Sequence, residues 1–179
     1  MSSNRILVLE LFVAMLLTGS TIAQKIMPLE FNTETTSLKH PVQLPPEVLQ
    51  LLTNDKEDFP KGTPEGLRCS DHEHSPNANE PQEQILCTTL HLSSSPGTDY
   101  LIIGVGALRG AHIVPFWIIH RGTEVPVLYF KTRADALTIL SSTNNGYREL
   151  VATFVYGAGA RIRDERYRFN GKSYKLFSS

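Results

Sequence analysis

From Gln84 onward the chain falls into short β-rich apolar runs, each closed by turn-forming residues. That texture, rich in Val, Ile, Tyr, Phe and Thr, predicts strands. They fall near Ile85–Leu92, Tyr100–Val105, Ile113–Ile119, Val125–Phe130, Leu137–Ser141, Glu149–Tyr156, Ile162–Phe169 and Ser173–Phe177. Gly122, Asn144-Asn145-Gly146, Gly157-Ala158-Gly159 and Asn170-Gly171 mark the connections. Arg133-Ala134-Asp135-Ala136 reads either as part of this series or as a helical turn. The last pair of strands predicts a hairpin around Asn170-Gly171 in a two-residue type I′ turn. Tyr167 then faces Tyr174, and Arg166 faces Lys175.

Upstream the pattern changes. Pro46 suits the first turn of a helix. Val48, Leu51 and Leu52 then recur at helical spacing, which predicts one short amphipathic helix, about Pro46 to Asn54. Phe59-Pro60 and the following glycines end it. Residues 24–44 are polar with scattered apolar positions and read as an extended N-terminal arm. The fold class expected is mainly β (α+β): antiparallel sheets of hairpins in two weak blade-like repeats, with one short N-terminal helix. Residues 45–179 form a single β-rich domain on this reading.

The first residues have a different pattern. Arg5 precedes the apolar run Leu11–Leu17, and Thr21-Ile22-Ala23 places small side chains where a signal peptidase reads them. That is the layout of a secretory signal peptide, residues 1–23, cleaved near Ala23-Gln24. The run is shorter than the roughly 20 residues of a membrane span. A retained anchor is the alternative, and Glu10 is unusual for either. The expected location is secreted or periplasmic, with no membrane span in the mature chain.

Export changes the meaning of the two cysteines. In an oxidising compartment Cys69 and Cys87 are most simply a disulfide, with a catalytic thiol as the rival reading. The bridge closes a polar loop, 69–87, of about 19 residues and stabilises by about 3 kcal/mol in the chain-entropy model.

Of 179 residues the formal net charge is only −1, which gives no case for nucleic acid. The charge is uneven, however. Between Asn54 and Glu83 acids dominate. From Tyr147 onward Arg148, Arg161, Arg163, Arg166, Arg168, Lys172 and Lys175 outnumber Glu149, Asp164 and Glu165. Two solvated faces are the ordinary reading. A basic patch for an anionic partner, such as a cell-envelope polymer, is the functional one.

Three short stretches resemble the FG-GAP, integrin-alpha-like β repeats of proteins exported by bacteria. They are Leu92–Gly104, Thr143–Leu150 and Tyr167–Tyr174 within residues 85–179, with Asp99 and Glu149 at matching places. The resemblance implies blade-like β units and calcium held by an acidic loop. Here Ser93, Ser94 and Ser95 replace those acids, and calcium needs several charged oxygen ligands. No cofactor is therefore expected.

Chemistry-bearing motifs are few. His72 and His74 project to one side of an extended segment and are weak candidates for a zinc or copper site, with no third ligand at a diagnostic spacing. Gly104, Gly106 and Gly110 miss the dinucleotide spacing by one position. There is no Gly-x-Ser-x-Gly elbow. Trp117 lies in a strongly apolar strand; core packing is the ordinary reading. As a contact surface Trp117 joins Arg166 and Arg168. The function expected is an exported, non-catalytic binding or envelope-structural module whose partner is a protein or a cell-envelope polysaccharide. The alternative is a periplasmic inhibitor or immunity-type protein of a secreted enzyme.

Overall fold

A computed structural model describes residues 27–73, 83–157 and 159–179. The signal-like segment lies outside the described residues. So does the second histidine of the weak metal pair, His74.

Ten strands and one helix follow one another as β1 (Leu29–Asn32), α1 (Pro46–Thr53), β2 (Cys69–Ser70), β3 (Glu83–Leu90), β4 (Thr98–Gly106), β5 (Val114–Arg121), β6 (Val127–Ala134), β7 (Ala136–Asn144), β8 (Tyr147–Tyr156), β9 (Arg161–Phe169) and β10 (Tyr174–Ser178). They form two five-stranded sheets. The front sheet runs β1-β7-β8-β9-β10 and the back sheet β2-β3-β4-β5-β6. All pairings are antiparallel except β2 beside β3. Two successive meanders, β3 to β6 and β7 to β10, thus stack face to face.

Period-two alternation explains the layers. In β4 and β5, Leu101, Ile103, Val105, Phe116 and Ile118 point into the space between the sheets. They meet Leu137, Ile139, Leu150, Ala152 and Phe169 of the front sheet. The intervening Ile102, Trp117 and Ile119 point the other way and meet Val48 and Leu52 of α1 and Phe59 of the following loop. The central strands β4 and β5 are therefore buried on both faces, which is why they read as near-continuous apolar runs. The front sheet buries one face only.

The helix starts at Pro46, whose fixed φ and missing N–H suit the first turn. It ends where the Asn54 N–H bonds the Gln50 carbonyl. The only non-glycine residue with positive φ among the described residues is Asn145 (51°), followed by Gly146 (78°). Asn144 faces Tyr147 across that turn, so the two-residue β-hairpin loop joins β7 to β8.

The final hairpin differs from the sequence expectation. Tyr174 faces Phe169, and Lys175 faces Arg168; Tyr167 faces Leu176. The reason is the Asn170 side chain. Its Oδ1 accepts the backbone N–H groups of Lys172 and Ser173, while the Asn170 N–H bonds the Ser173 carbonyl. A four-residue loop results, and the register slides by two. Arg133–Ala136 forms no helical turn: Asp135 is a corner where the chain passes from β6 in the back sheet to β7 in the front sheet.

The arm is extended, and it is tied down. β1 pairs with β7, bridges join Ser37 to His72 and Pro41 to Thr88, and the Val42 N–H bonds the Cys87 carbonyl.

Candidate functional site

The outer face of the front sheet is where the basic C-terminal strands come together. Glu149 on β8 points outward yet is only 3% exposed, because two arginines of β9 lie over it. Arg166 Nη2 is 2.7 Å from Glu149 Oε2, and Arg168 Nε bonds Oε1. Ser142 Oγ donates to Oε2 at 2.5 Å. The Ser142 hydroxyl and then the two guanidiniums hold the Glu149 carboxyl at about 2, against the opposing cost of burial. The Arg168 guanidinium also lies over the Phe177 ring, 3.5 Å from its centroid. Lys175 stands directly across from Arg168 and is exposed.

One carboxylate thus orders two cations, and Lys175 adds a third. Asp164, further along β9, is taken by the Thr153 hydroxyl at 2.7 Å. Among the described residues no helix or loop covers this face. What the arrangement offers is a set of guanidinium N–H groups fixed in place and facing outward.

The other residues singled out by sequence are placed elsewhere. Trp117 is 1% exposed, tilted against Phe59 at 6.1 Å, with its Nε1–H donating to Asp55 Oδ2 at 3.3 Å. It is core and takes no part in a contact surface, because β5 is the buried strand between β4 and β6. Cys69 and Cys87 form the disulfide, with an S–S distance of 2.07 Å and Cα atoms 5.5 Å apart. The bridge fixes the short parallel strand β2 to β3, and both sulfurs are buried. It fits an oxidising compartment. No helix of the described residues is long and apolar enough to cross a membrane. His72 is exposed, with Nδ1 2.6 Å from Asp71 Oδ1.

Asp99 and Glu149 are not brought together. Asp99 points inward, where its Oδ1 meets His120 Nδ1 at 2.8 Å. The His120 ring stacks on Tyr129, and Tyr129, Tyr147, Phe169 and Tyr174 continue as an aromatic cap on that end of the core.

Sequence reasoning missed one charged cluster. Asp55, Glu57 and Asp58 present carboxylate oxygens within 4.8 Å of one another. Such a group suits a cation, and the cation is already there: Lys131 Nζ lies 2.6, 2.6 and 3.0 Å from the three. Arg133 also pairs with Asp58, whose side chain is fully buried. The available signal was the two-residue spacing of Lys131 and Arg133, which puts both on one face of β6. Against the cost of burial, the three carboxylates hold the Lys131 ammonium well above its usual range.

A groove of about 500 Å³ opens between the arm and β3, lined by residues 28–31, 34–40 and 88–90. Sequence gave no sign of it, since it exists only where the arm crosses the sheet edge.

No protein-family model, no curated protein and no solved structure matches this chain.

Proposed function

We propose that the protein is an exported, non-catalytic binding module of the cell envelope whose contact face is the outer front sheet around Arg166 and Arg168. Its partner on this reading is a polysaccharide carrying acid groups. The observation that carries the proposal is the pair of arginines ordered on the buried Glu149 carboxylate of an uncovered sheet. Guanidiniums already fixed lose little freedom when they meet an anion, and their planar donor forks match carboxylate and phosphate. The export reading comes from the N-terminal pattern and agrees with the buried disulfide. The non-catalytic reading is supported by where the reactive side chains go: the Asp55 cluster is spent on Lys131 and Arg133, and Asp99 on His120.

Retention of the mature chain on immobilised polygalacturonate tests this. Binding should weaken steeply with added salt, since the Debye length shrinks from about 30 Å at 0.01 M to about 8 Å at 0.15 M. Lys175→Glu should weaken it about tenfold, because it reverses a charge beside Arg168 without touching Glu149. Salt-insensitive binding, or none, would overturn the reading. So would turnover of the polymer. Stoichiometric capture of one secreted enzyme from envelope extract would favour the inhibitor reading instead.

A further inference from the structure

We propose that the groove between the N-terminal arm and β3 is a second, separate binding site, and that it takes a neutral sugar unit. The choice of ligand class rests on the polysaccharide reading above. The site shares no residue with the arginine face.

Three observations point to it. First, the groove is pre-formed. Its volume of about 500 Å³ falls within the usual range for small-ligand sites, about 300–1,000 Å³. The arm that makes its outer wall is fixed along its length. The Thr33 N–H bonds the Asp135 carbonyl, Arg109 Nη2 bonds the Thr35 carbonyl, the Glu73 N–H bonds the Thr36 carbonyl, and the Thr88 hydroxyl bonds the His40 carbonyl. A ligand would find the wall already in place, without the cost of ordering it.

Second, the lining has two chemistries. Phe31, Leu38 and Leu90 line it and also belong to the edge of the main core. Around them stand the hydroxyl-bearing residues Thr36 and Ser37 and the acidic Glu34. A pyranose ring has apolar C–H faces and a rim of hydroxyls. The faces suit an apolar floor with an aromatic ring, and the rim suits carboxylate and hydroxyl partners.

Third, the charge is balanced. Glu34 and Lys39 both line the groove, so it offers no net charge to draw an acidic sugar, in contrast to the arginine face. A peptide strand is a poorer fit. The β3 edge it would pair with is already occupied by the arm through the Pro41–Thr88 bridge and the Val42 N–H to Cys87 carbonyl bond.

The test is calorimetric titration of the full mature chain with maltotriose, cellotriose and chitotriose, and separately with galacturonate trimer. At least one neutral trisaccharide should bind saturably, at about millimolar dissociation constant or tighter. Glu34→Gln and Thr36→Val should each weaken that binding, Glu34→Gln by about tenfold. Neither should alter retention on polygalacturonate, whereas Lys175→Glu should do the reverse. No binding of any neutral trisaccharide would overturn the proposal. So would binding that neither groove variant weakens, or galacturonate-trimer binding that the groove variants weaken and Lys175→Glu does not. Loss of polymer retention with intact trisaccharide binding would refute the arginine-face reading alone and uphold this one.

Discussion

His120 and Asp99 face each other across the β4–β5 ladder with Nδ1 and Oδ1 2.8 Å apart, at the inner end of the sandwich core. Asp99 is 6% exposed, and the other contact to its carboxylate is a long one, 3.4 Å from the Leu92 N–H. The imidazole lies flat on Tyr129, with ring planes 2° apart and centroids 4.8 Å apart. The pair closes one end of the core.

Removing the imidazole leaves the Asp99 carboxylate buried with one weak partner. His120→Ala should therefore destabilise by about 2–4 kcal/mol, from lost packing and an uncompensated charge. Gly97 gives a sharper check. Its φ is +126°, and a Cβ there would lie 2.5 Å from His120 Cε1 and 2.8 Å from the Arg121 carbonyl oxygen. Gly146 also has positive φ (+78°), but nothing stands within 4 Å of its Cβ position. Gly97→Ala should cost about 2–4 kcal/mol and Gly146→Ala only about 1 kcal/mol. Equal losses in urea denaturation would show that the Gly97–His120 contact does not matter.

Lys131 supplies the second prediction. Its ammonium is the counter-ion of three carboxylates on the loop after α1. Lys131→Met keeps the stem that packs on β6 and removes the charge. Asp55, Glu57 and Asp58 then repel one another, and Asp58 is left with Arg133. The expected loss is about 2–4 kcal/mol near neutral pH, with partial recovery at acidic pH as the Asp55 carboxyl protonates. Against the cost of burial, Lys131 helps hold that carboxyl below its usual range. A loss that does not vary with pH would mean that packing, not charge, dominates.

Much of this fold was legible in the sequence, and the gaps have definite causes. The strands from β3 to β10 follow from short β-rich runs between turn residues, continuously apolar where both faces are buried, as in β4 and β5. β1 was not evident, since its Leu29-Glu30-Phe31-Asn32 run is too short to set a period and is stabilised by its pairing with β7. The register of the last hairpin was misread because Asn170-Gly171 suits two loop lengths, and the Asn170 carboxamide decides between them. Of the expected contact residues, Arg166 and Arg168 share one face by their spacing on β9, whereas Trp117 is central. The Asp58–Arg133 and Glu57–Lys131 pairs join residues about 75 positions apart, which no local pattern encodes.

The disulfide makes a third prediction. Cys69 and Cys87 are 18 positions apart, and the loop between them is polar. Replacing both by Ser should lower stability by about 3 kcal/mol. Because both residues are buried, 5% and 0% exposed, reductant should act slowly on the native protein and quickly in urea. Mass spectrometry should show a gain of two hydrogens only after unfolding. Rapid reduction under native conditions would place the bridge in an opening segment.

Glu149 links stability to pH on the proposed contact face. Its carboxyl ionises at about 2 in the folded chain, first because of the Ser142 hydroxyl and then because of Arg168 and Arg166. In the unfolded chain the group has its ordinary value of about 4.3. A depressed folded value means that the charged form favours folding. The contribution is therefore fully present above about pH 5 and is lost as pH falls toward 2. Water around the open sheet screens the arginines, whose side chains are 40% and 34% exposed. That reduces the contribution to the order of 1 kcal/mol. Glu149→Gln should remove about that much stability at pH 7 and flatten the stability curve between pH 5 and pH 2. It should also leave Arg166 and Arg168 without their shared anchor. Polygalacturonate retention would then show which matters more, the arginines' order or their charge. If fixed geometry dominates, retention falls although the face has become more positive.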